Sequence, residues 1–255
     1  MAPKHIRTTD IARLLGVHVN TIRLYEAWGF LPPIPRGTNG YRLYTRMHVE
    51  QAKLTQLAAR WPYIVADKKL LGDLVRSAAN GDLGMAMELA YLYLAHVRVE
   101  RTLAEAAVEF LERWAAGHLM DTARQKMHIR QAAAHLNVTV DMLRNWERNG
   151  LIDVPRDPAN GYRLYGSAEF GRLRVIRTLV HAGYSMMAVL QMMRQFDAGK
   201  TDNLREALNV PLENSANEYI EVVADRWLTS LVALEERAQA TIRQITYMIE
   251  LTYTG

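Results

Sequence analysis

Two stretches of the chain carry an apolar residue at every third or fourth position for about thirty residues. The first runs through Met85, Leu89, Leu92, His96, Val99, Leu103, Ala107, Phe110 and Trp114. The second runs through Ile220, Ala224, Trp227, Leu231, Leu234, Ala238, Ile242, Ile245 and Ile249. These steps follow the 3.6-residue period of an α-helix and predict two long helices, about 82–116 and about 218–252, each about 45 Å over thirty residues. A long helix with one apolar seam needs another apolar surface to cover it. The two seams match in length, so they are expected to cover one another.

Shorter patterns precede each long helix. Ile11, Leu14 and Leu15 line one face of a short helix over 8–16 that ends at Gly16, a favoured helix-stop residue. A second helix, about Val19 to Trp28, follows a tight turn and stops at Gly29. Ile34 to Arg36 and Tyr41 to Tyr44 then flank GTNG, a strong hairpin signal. Two helices across a tight turn make a helix-turn-helix, whose second helix can enter the DNA major groove, and the hairpin adds a wing.

The whole unit is written twice. Residues 6–44 set over 127–165 without a gap match at thirteen of thirty-nine positions. Ala12, Leu15, Val17, Val19, Arg23, Glu26, Gly29 and Asn39 to Tyr44 meet identical residues at Ala133, Leu136, Val138, Val140, Arg144, Glu147, Gly150 and Asn160 to Tyr165. The string NGYRLY ends both copies. This is an internal duplication.

Net charge is only +4 over 255 residues, but its distribution is uneven. Residues 1–60 carry +6, residues 61–123 carry −3, residues 124–200 carry +6 and residues 201–255 carry −5. Each basic block holds one copy of the repeat, which suggests a polyanionic partner. The chain has no cysteine, which removes disulfides and thiolate metal sites. No apolar run reaches the ~18 residues of a membrane span. The start, MAPKHIRTTD, lacks the apolar stretch of a signal peptide, so the expected compartment is the cytoplasm.

The stretches GVHVNTIRLYEAWGFLPP and NVTVDMLRNWERNGLI, each followed by NGYRLY, resemble the MerR family of winged helix-turn-helix transcription regulators. In the second copy the resemblance continues through 167–193, which is similar to the family's third and fourth helices. It covers roughly 1–60 and 124–195. The resemblance implies double-stranded DNA binding as an antiparallel dimer, with the second helix in the major groove and the wing on the backbone. RNA polymerase at a promoter is a further implied partner.

Carried onto this chain, the DNA-binding residues are Asn20, Thr21, Arg23, Tyr25, Arg36, Tyr41 and Arg42 in the first copy. In the second they are Thr139, Arg144, Asn145, Trp146, Arg148, Arg156, Tyr162 and Arg163. Arg23 and Arg144 can reach phosphate or fork onto guanine, and Asn20 and Thr21 can read base edges. Tyr25 and Trp146 can donate to phosphate, with a buried aromatic anchor as the equal alternative for Trp146. Arg42 and Arg163 are expected along the backbone, helped by Tyr41, Tyr162, Arg36 and Arg156. Glu26 and Glu147 are expected to hold helix or wing groups, because a carboxylate facing phosphate repels it. The family's second tyrosine is replaced by Leu24 and Asn145, and Asp141 and Met142 stand opposite Asn20 and Thr21. The two copies are therefore not expected to read the same half-site.

The expected fold is mainly α: two winged helix-turn-helix domains, each followed by a long helix, the long helices pairing as an antiparallel coiled coil. The first domain spans 1–60, a helical linker with the first long helix 61–123, the second domain 124–196, and a connecting segment with the last helix 197–255. Only residues 115–123 separate Trp114 from the second domain, and nine residues bridge at most about 30 Å. The chain is thus expected to be a self-contained pseudo-dimer, with a homodimer as the other outcome.

Other signals carry less. GKT at 199–201 resembles the end of a P-loop, but Arg194 stands where a glycine is required. His96 is expected to be a core histidine, and Met186, Met187, Met192 and Met193 core filler. No metal spacing or nucleophile–base arrangement stands out, so neither cofactor nor enzyme activity is expected. Residues 61–84 and 197–218 are left to cap the coil or line a small aromatic pocket. Besides the transcription regulator, the sequence leaves open an effector-responsive regulator, an architectural DNA-bending protein and a protein-interaction module.

Overall fold

The computed structural model describes residues 6–59, 68–118, 126–209 and 226–254. The chain is mainly helical and divides into two compact units, one formed by 1–99 with 232–255 and the other by 100–231. Ile220, Ala224 and the rest of 210–225, with 60–67 and 119–125, lie outside the described residues.

In the first unit, α1 (Thr8–Leu15) and α2 (Val19–Ala27) pack across the turn at 16–18. Gly16 adopts φ 64°, the left-handed conformation that ends a helix cheaply only for glycine and a few polar residues. The His18 ring caps α2 by accepting from the Asn20 amide at 3.2 Å. Ile11, Ala12, Ile22, Tyr25, Leu31, Ile34, Tyr44, Val49 and Ala52 form the core. Leu14 points outward instead of joining this face. Two-way backbone bonding between Ile6 and Tyr44 ties the hairpin's end to the start of the unit.

Helix α3 (Arg46–Ala59) closes the core from the other side, and its Gln56 donates to the Leu15 carbonyl at 2.7 Å, satisfying an orphan acceptor at the end of α1. Helix α4 (Lys68–Ala79) packs on α3, with Gln51 donating to the Ala78 carbonyl at 2.9 Å. Long helix α5 (Leu83–Ala115) follows. Within this unit Arg98 meets Glu235 of the last helix at 2.8 Å, and Gln244 donates to Glu50 at 2.8 Å.

The second unit repeats the plan with α6 (Ile129–Leu136), α7 (Val140–Arg148), α8 (Ser167–His181), α9 (Met186–Asp197) and the short α10 (Leu204–Ala207). Asn137 takes the place of Gly16 and keeps the left-handed backbone at φ 51°. Leu136, Leu143, Trp146, Leu151, Ile152, Phe170, Leu173 and Ile176 are buried here. Met192 and Met193 are core residues as expected, whereas Met187 is exposed. Two tryptophans lie against glycines. Trp114, near the end of α5, stacks on Phe196 at 4.3 Å and lies over Gly171; Trp227, opening α11 (Trp227–Thr254), lies over Gly183.

Two expectations change. The gapless register of the repeats is broken between the second helix of each unit and its hairpin. Leu43 donates to Pro35 and Leu164 to Pro155, both at 2.8 Å, so Pro35-Arg36 corresponds to Pro155-Arg156, a spacing of 120 rather than 121. The second copy has one residue fewer before the hairpin and one more in its turn, so the identical NGYRLY falls back into register.

The apolar seam of α5 is also on the other face. Met85, Leu92, His96, Val99 and Leu103 are exposed, while Ala86, Ala90, Tyr93, Val97, Ala104, Val108 and Leu111 are buried. Close helix packing here uses small residues, which a pattern of large apolar residues overlooks. On α11 the buried row is Trp227, Leu231, Leu234, Ala238, Thr241, Ile245 and Met248, one residue off the expected row at Ile242 and Ile249.

Candidate nucleic-acid interface

In each unit a carboxylate of the second helix holds an arginine of the hairpin. The expected residues divide cleanly by placement. Asn20, Arg23, Arg36 and Tyr41 are exposed, with Thr21 and Arg42 half-buried. Thr139, Arg144, Arg148, Arg156 and Tyr162 are exposed, with Asn145 and Arg163 half-buried. Tyr25 is a correction and Trp146 takes its anchor reading: at 5% and 2% exposure their rings pack in the cores of their units. Aromatic rings on the inner side of an amphipathic helix bury too much apolar area to leave facing water.

On α2, Arg23 donates to the Asn20 side chain at 3.3 Å, fixing two potential reading groups against each other. On α7 the same i, i+3 spacing joins Arg144 to Asp141 at 3.2 Å. The guanidinium in the second copy therefore carries a carboxylate beside it, and the local positive field is weaker. Thr139 caps α7 by accepting from the Met142 amide at 3.1 Å. Asn145 turns toward α9, donating to Met186 sulfur at 3.7 Å and accepting from Asn149 at 2.9 Å.

The hairpin arginines are held from beneath. Arg42 Nε donates to Glu26 at 2.6 Å while the other Glu26 oxygen takes the Ile34 amide at 3.2 Å. Arg163 Nε donates to Glu147 at 2.5 Å, with Arg156 at 3.8 Å from the same carboxylate. One carboxylate thus links the second helix to the hairpin in each unit and uses only the Nε edge of the guanidinium. Arg36 and Arg156 brace their turns by donating to the Gly40 and Gly161 carbonyls at 3.2 and 3.3 Å. Asn39 and Asn160 accept from the Tyr41 and Tyr162 amides at 3.1 and 2.9 Å, which explains the shared Asn-Gly.

In the second unit the hairpin and helices enclose a cavity of about 580 Å³ that gathers Arg144, Arg156, Tyr162 and Arg163 with Arg130 and His128. The last two were not expected from the sequence. Their only signal was the basic block around the start of α6. Tyr44 and Tyr165 lie buried beneath the hairpins, and burial raises both phenols above their ordinary range, so they are neutral. The Tyr165 hydroxyl has no hydrogen-bond partner among the described residues.

Comparison with known proteins matches both of these surfaces. Residues 7–44 match the model described as "MerR family regulatory protein", and residues 127–195 match "MerR HTH family regulatory protein". Each unit thus carries a stretch that matches a MerR-family model. Among curated relatives, the HTH-type transcriptional regulator CueR of Escherichia coli O157:H7 is 38% identical over 50 residues, covering 20% of this chain and 37% of CueR. A probable heavy metal-dependent transcriptional regulator of Haemophilus influenzae is 31% identical over 74 residues, covering 29% of this chain and 58% of that protein. The chain thus spans well under two thirds of the length of these MerR-type relatives. No solved structure gives a significant match.

Proposed function

We propose that this protein is a sequence-specific regulator of transcription that binds double-stranded DNA through two winged helix-turn-helix units in one chain. The observation that carries this reading is the shared geometry of the two units. In each, an outward arginine on the second helix (Arg23, Arg144) recurs with a carboxylate-braced arginine on the hairpin (Arg42, Arg163), and in the second unit both line one cavity. The helix supplies groups that reach base edges, and the hairpin supplies guanidinium Nη edges for phosphate oxygens. The regulator names of the relatives and the basic charge of both repeats support it. The long helices α5 and α11 are read as the antiparallel pair that joins the two halves of a pseudo-dimer. Support comes from the Arg98–Glu235 ion pair and the buried heptad row of α11.

The function is binding; no chemistry is assigned to it. No described helix is long and apolar enough to cross a membrane. Among the described residues no group of three His, Asp or Glu side chains is placed to hold a metal ion. A response to a small molecule is favoured by one observation: a cavity of about 650 Å³ in the second unit, where Trp114 and Phe196 stack beside Ile152 and Asp153 at the foot of the hairpin.

The test is DNA binding at graded salt by fluorescence anisotropy. Arg42→Ala and Arg163→Ala are each expected to weaken binding to all sequences alike and to lower the salt slope by about one unit, as a lost phosphate contact does. Each also strips a half-buried carboxylate of its cation, so circular dichroism is recorded alongside. A change of sequence preference with the slope intact refutes the backbone role.

A further inference from the structure

The outward faces of the two second helices differ in kind. On α2 the exposed Asn20 amide and Arg23 guanidinium are joined, with the Thr21 hydroxyl beside them. On α7 the corresponding groups are unsuited to base edges or already engaged. Asp141 is a carboxylate, repelled by phosphate oxygens and able to accept only from an amine such as that of cytosine. Met142 offers no more than a contact with a thymine methyl. The Thr139 oxygen takes the Met142 amide, and Asn145 is engaged by Met186 and Asn149. Arg144 turns to the hairpin side, where it lines a cavity with Arg156 and Arg163.

That cavity, of about 580 Å³, also receives Arg130 from the first turn of α6. Glu147 takes the Nε edge of Arg163 and stands 3.8 Å from Arg156, and Asp141 meets Arg144 at 3.2 Å. Two carboxylates against four guanidiniums leave the cavity net positive. Like charges held together in this way repel until an anion enters, and the Tyr162 hydroxyl adds a neutral donor. In the first copy Thr9 stands where Arg130 does, and Ala27 where the exposed Arg148 does. Two exchanges run the other way, His128 for Arg7 and Ala134 for Arg13, so positive charge is relocated rather than increased.

We propose that the second unit reads no bases and is a phosphate clamp. Arg130, Arg144, Arg156 and Arg163 hold a stretch of DNA backbone, and sequence choice falls to the first unit. The inference rests on the DNA-binding reading and goes beyond it in dividing the labour between the copies. A cation against a phosphate gives affinity and register without sequence information. Arg148 fits the same role. It lies in the last turn of α7, whereas such helices meet base edges with their N-terminal residues. At 54% and 88% side-chain exposure, the pair of Arg144 with Asp141 is a weak one that a phosphate can displace.

Anisotropy titrations of the full-length protein test it, on a selected operator and on two derivatives with one half scrambled. The chain has no cysteine, so a DNA-cleaving chelate on Pro158→Cys, at the second hairpin, marks the half held by the second unit. Scrambling the other half is expected to weaken binding about 5- to 150-fold per lost base contact, the equivalent of 1–3 kcal/mol. Scrambling the marked half is expected to change it by less than about twofold, since phosphates are the same in every sequence. Arg130→Ala is expected to lower the salt slope by about one unit on all three duplexes, and Arg130→Lys to restore it. Arg130 is exposed, so helical content should stay at the wild-type level. Equal constraint of both halves, or a salt slope unmoved by Arg130→Ala, overturns the clamp and leaves the DNA-binding reading standing. Failure of the wild type to bind any duplex overturns that reading, and the clamp with it.

Discussion

Gly183→Ala is expected to be among the most damaging single-atom additions available to the second unit. Gly183 stands in the turn between α8 and α9 with φ at +94°, where an L side chain is strained by roughly 1–2 kcal/mol. Its hydrogen points at the indole of Trp227. A Cβ there sits 2.7 Å from Cε2 and Nε1 and 2.8 Å from Cζ2, closer than carbon atoms approach. The indole cannot step aside freely, because Trp227 is 2% exposed and its Nε1 donates to the Ala182 carbonyl at 2.7 Å. Overpacking of this kind costs about 1–3 kcal/mol, and losing the buried hydrogen bond about 1–3 more. Together about 3–8 kcal/mol is expected.

Gly171→Ala is the internal control. Its Cβ meets Trp114 Nε1 at 2.9 Å, but Gly171 has ordinary helical φ, Trp114 is only half-buried, and alanine regains about 1 kcal/mol of helix propensity. That change is expected within about 1 kcal/mol of wild type. The assay is urea denaturation followed by helix content and tryptophan emission, run as a double-mutant cycle with Trp227→Ala. In that background Gly183→Ala should cost only the backbone part, about 1–2 kcal/mol. Equal loss in both backgrounds, or a Gly183→Ala protein as stable as wild type, refutes the packing argument.

Asn137→Gly should hold or raise stability and Asn137→Ala lower it by about 1 kcal/mol in thermal melts, because the residue caps α6 at φ 51°. Tyr165→Phe should be neutral or stabilising by up to about 1 kcal/mol, since it removes a buried hydroxyl that lacks a partner among the described residues. In a randomised-operator selection, Asn20→Ala or Thr21→Ala should relax preference in one half-site only, by about 1–3 kcal/mol per lost base contact, and Met142→Ala should change little. Recovery of a near-perfect palindrome contradicts this.

The repeated units were legible because their punctuation has one physical meaning. Gly16 and Gly29 end helices in the left-handed conformation, and Asn39-Gly40 turns a hairpin, so a reader of letters can place α1, α2 and the ribbon. The packing face of α5 was not legible because two heptads share that helix. The exposed row carries Met85, Leu92, Val99 and Leu103, while the buried row mixes alanines with Tyr93, Val97, Val108 and Leu111, so hydrophobicity alone does not choose between them. The one-residue compensation between Pro35 and Pro155 was hidden for a similar reason: identity resumes at NGYRLY and masks a shift that only backbone hydrogen bonds reveal. Glu26 and Glu147 hold wing groups as their charge suggested, but that the groups are Arg42 and Arg163, sixteen residues away, is visible only in the structure.

The differences between the copies fall where the proposed reading needs them. Ala12, Leu15, Val17 and Val19 are identical to Ala133, Leu136, Val138 and Val140, and all eight are buried or half-buried. The exposed positions have drifted: Asn20 against Asp141, Leu24 against Asn145, Trp28 against Asn149, with Thr21 against Met142 beside them. A core must keep volume and period to fold at all, whereas a surface is free once its partner is free. In a homodimer any change on the reading helix appears in both halves and must suit both half-sites. A duplication within one chain removes that constraint, because each helix then answers to its own stretch of DNA. The carboxylate that Asp141 places beside Arg144 would be a liability twice over in a symmetric pair, but here it weakens one half only. The longer turn in the second hairpin acts the same way, shifting one tip and not the other. Divergence on the exposed side of the second helix, beside core exchanges that stay apolar (Ile11 against Ala132, Ile22 against Leu143, Tyr25 against Trp146), is what two unequal half-sites would leave behind.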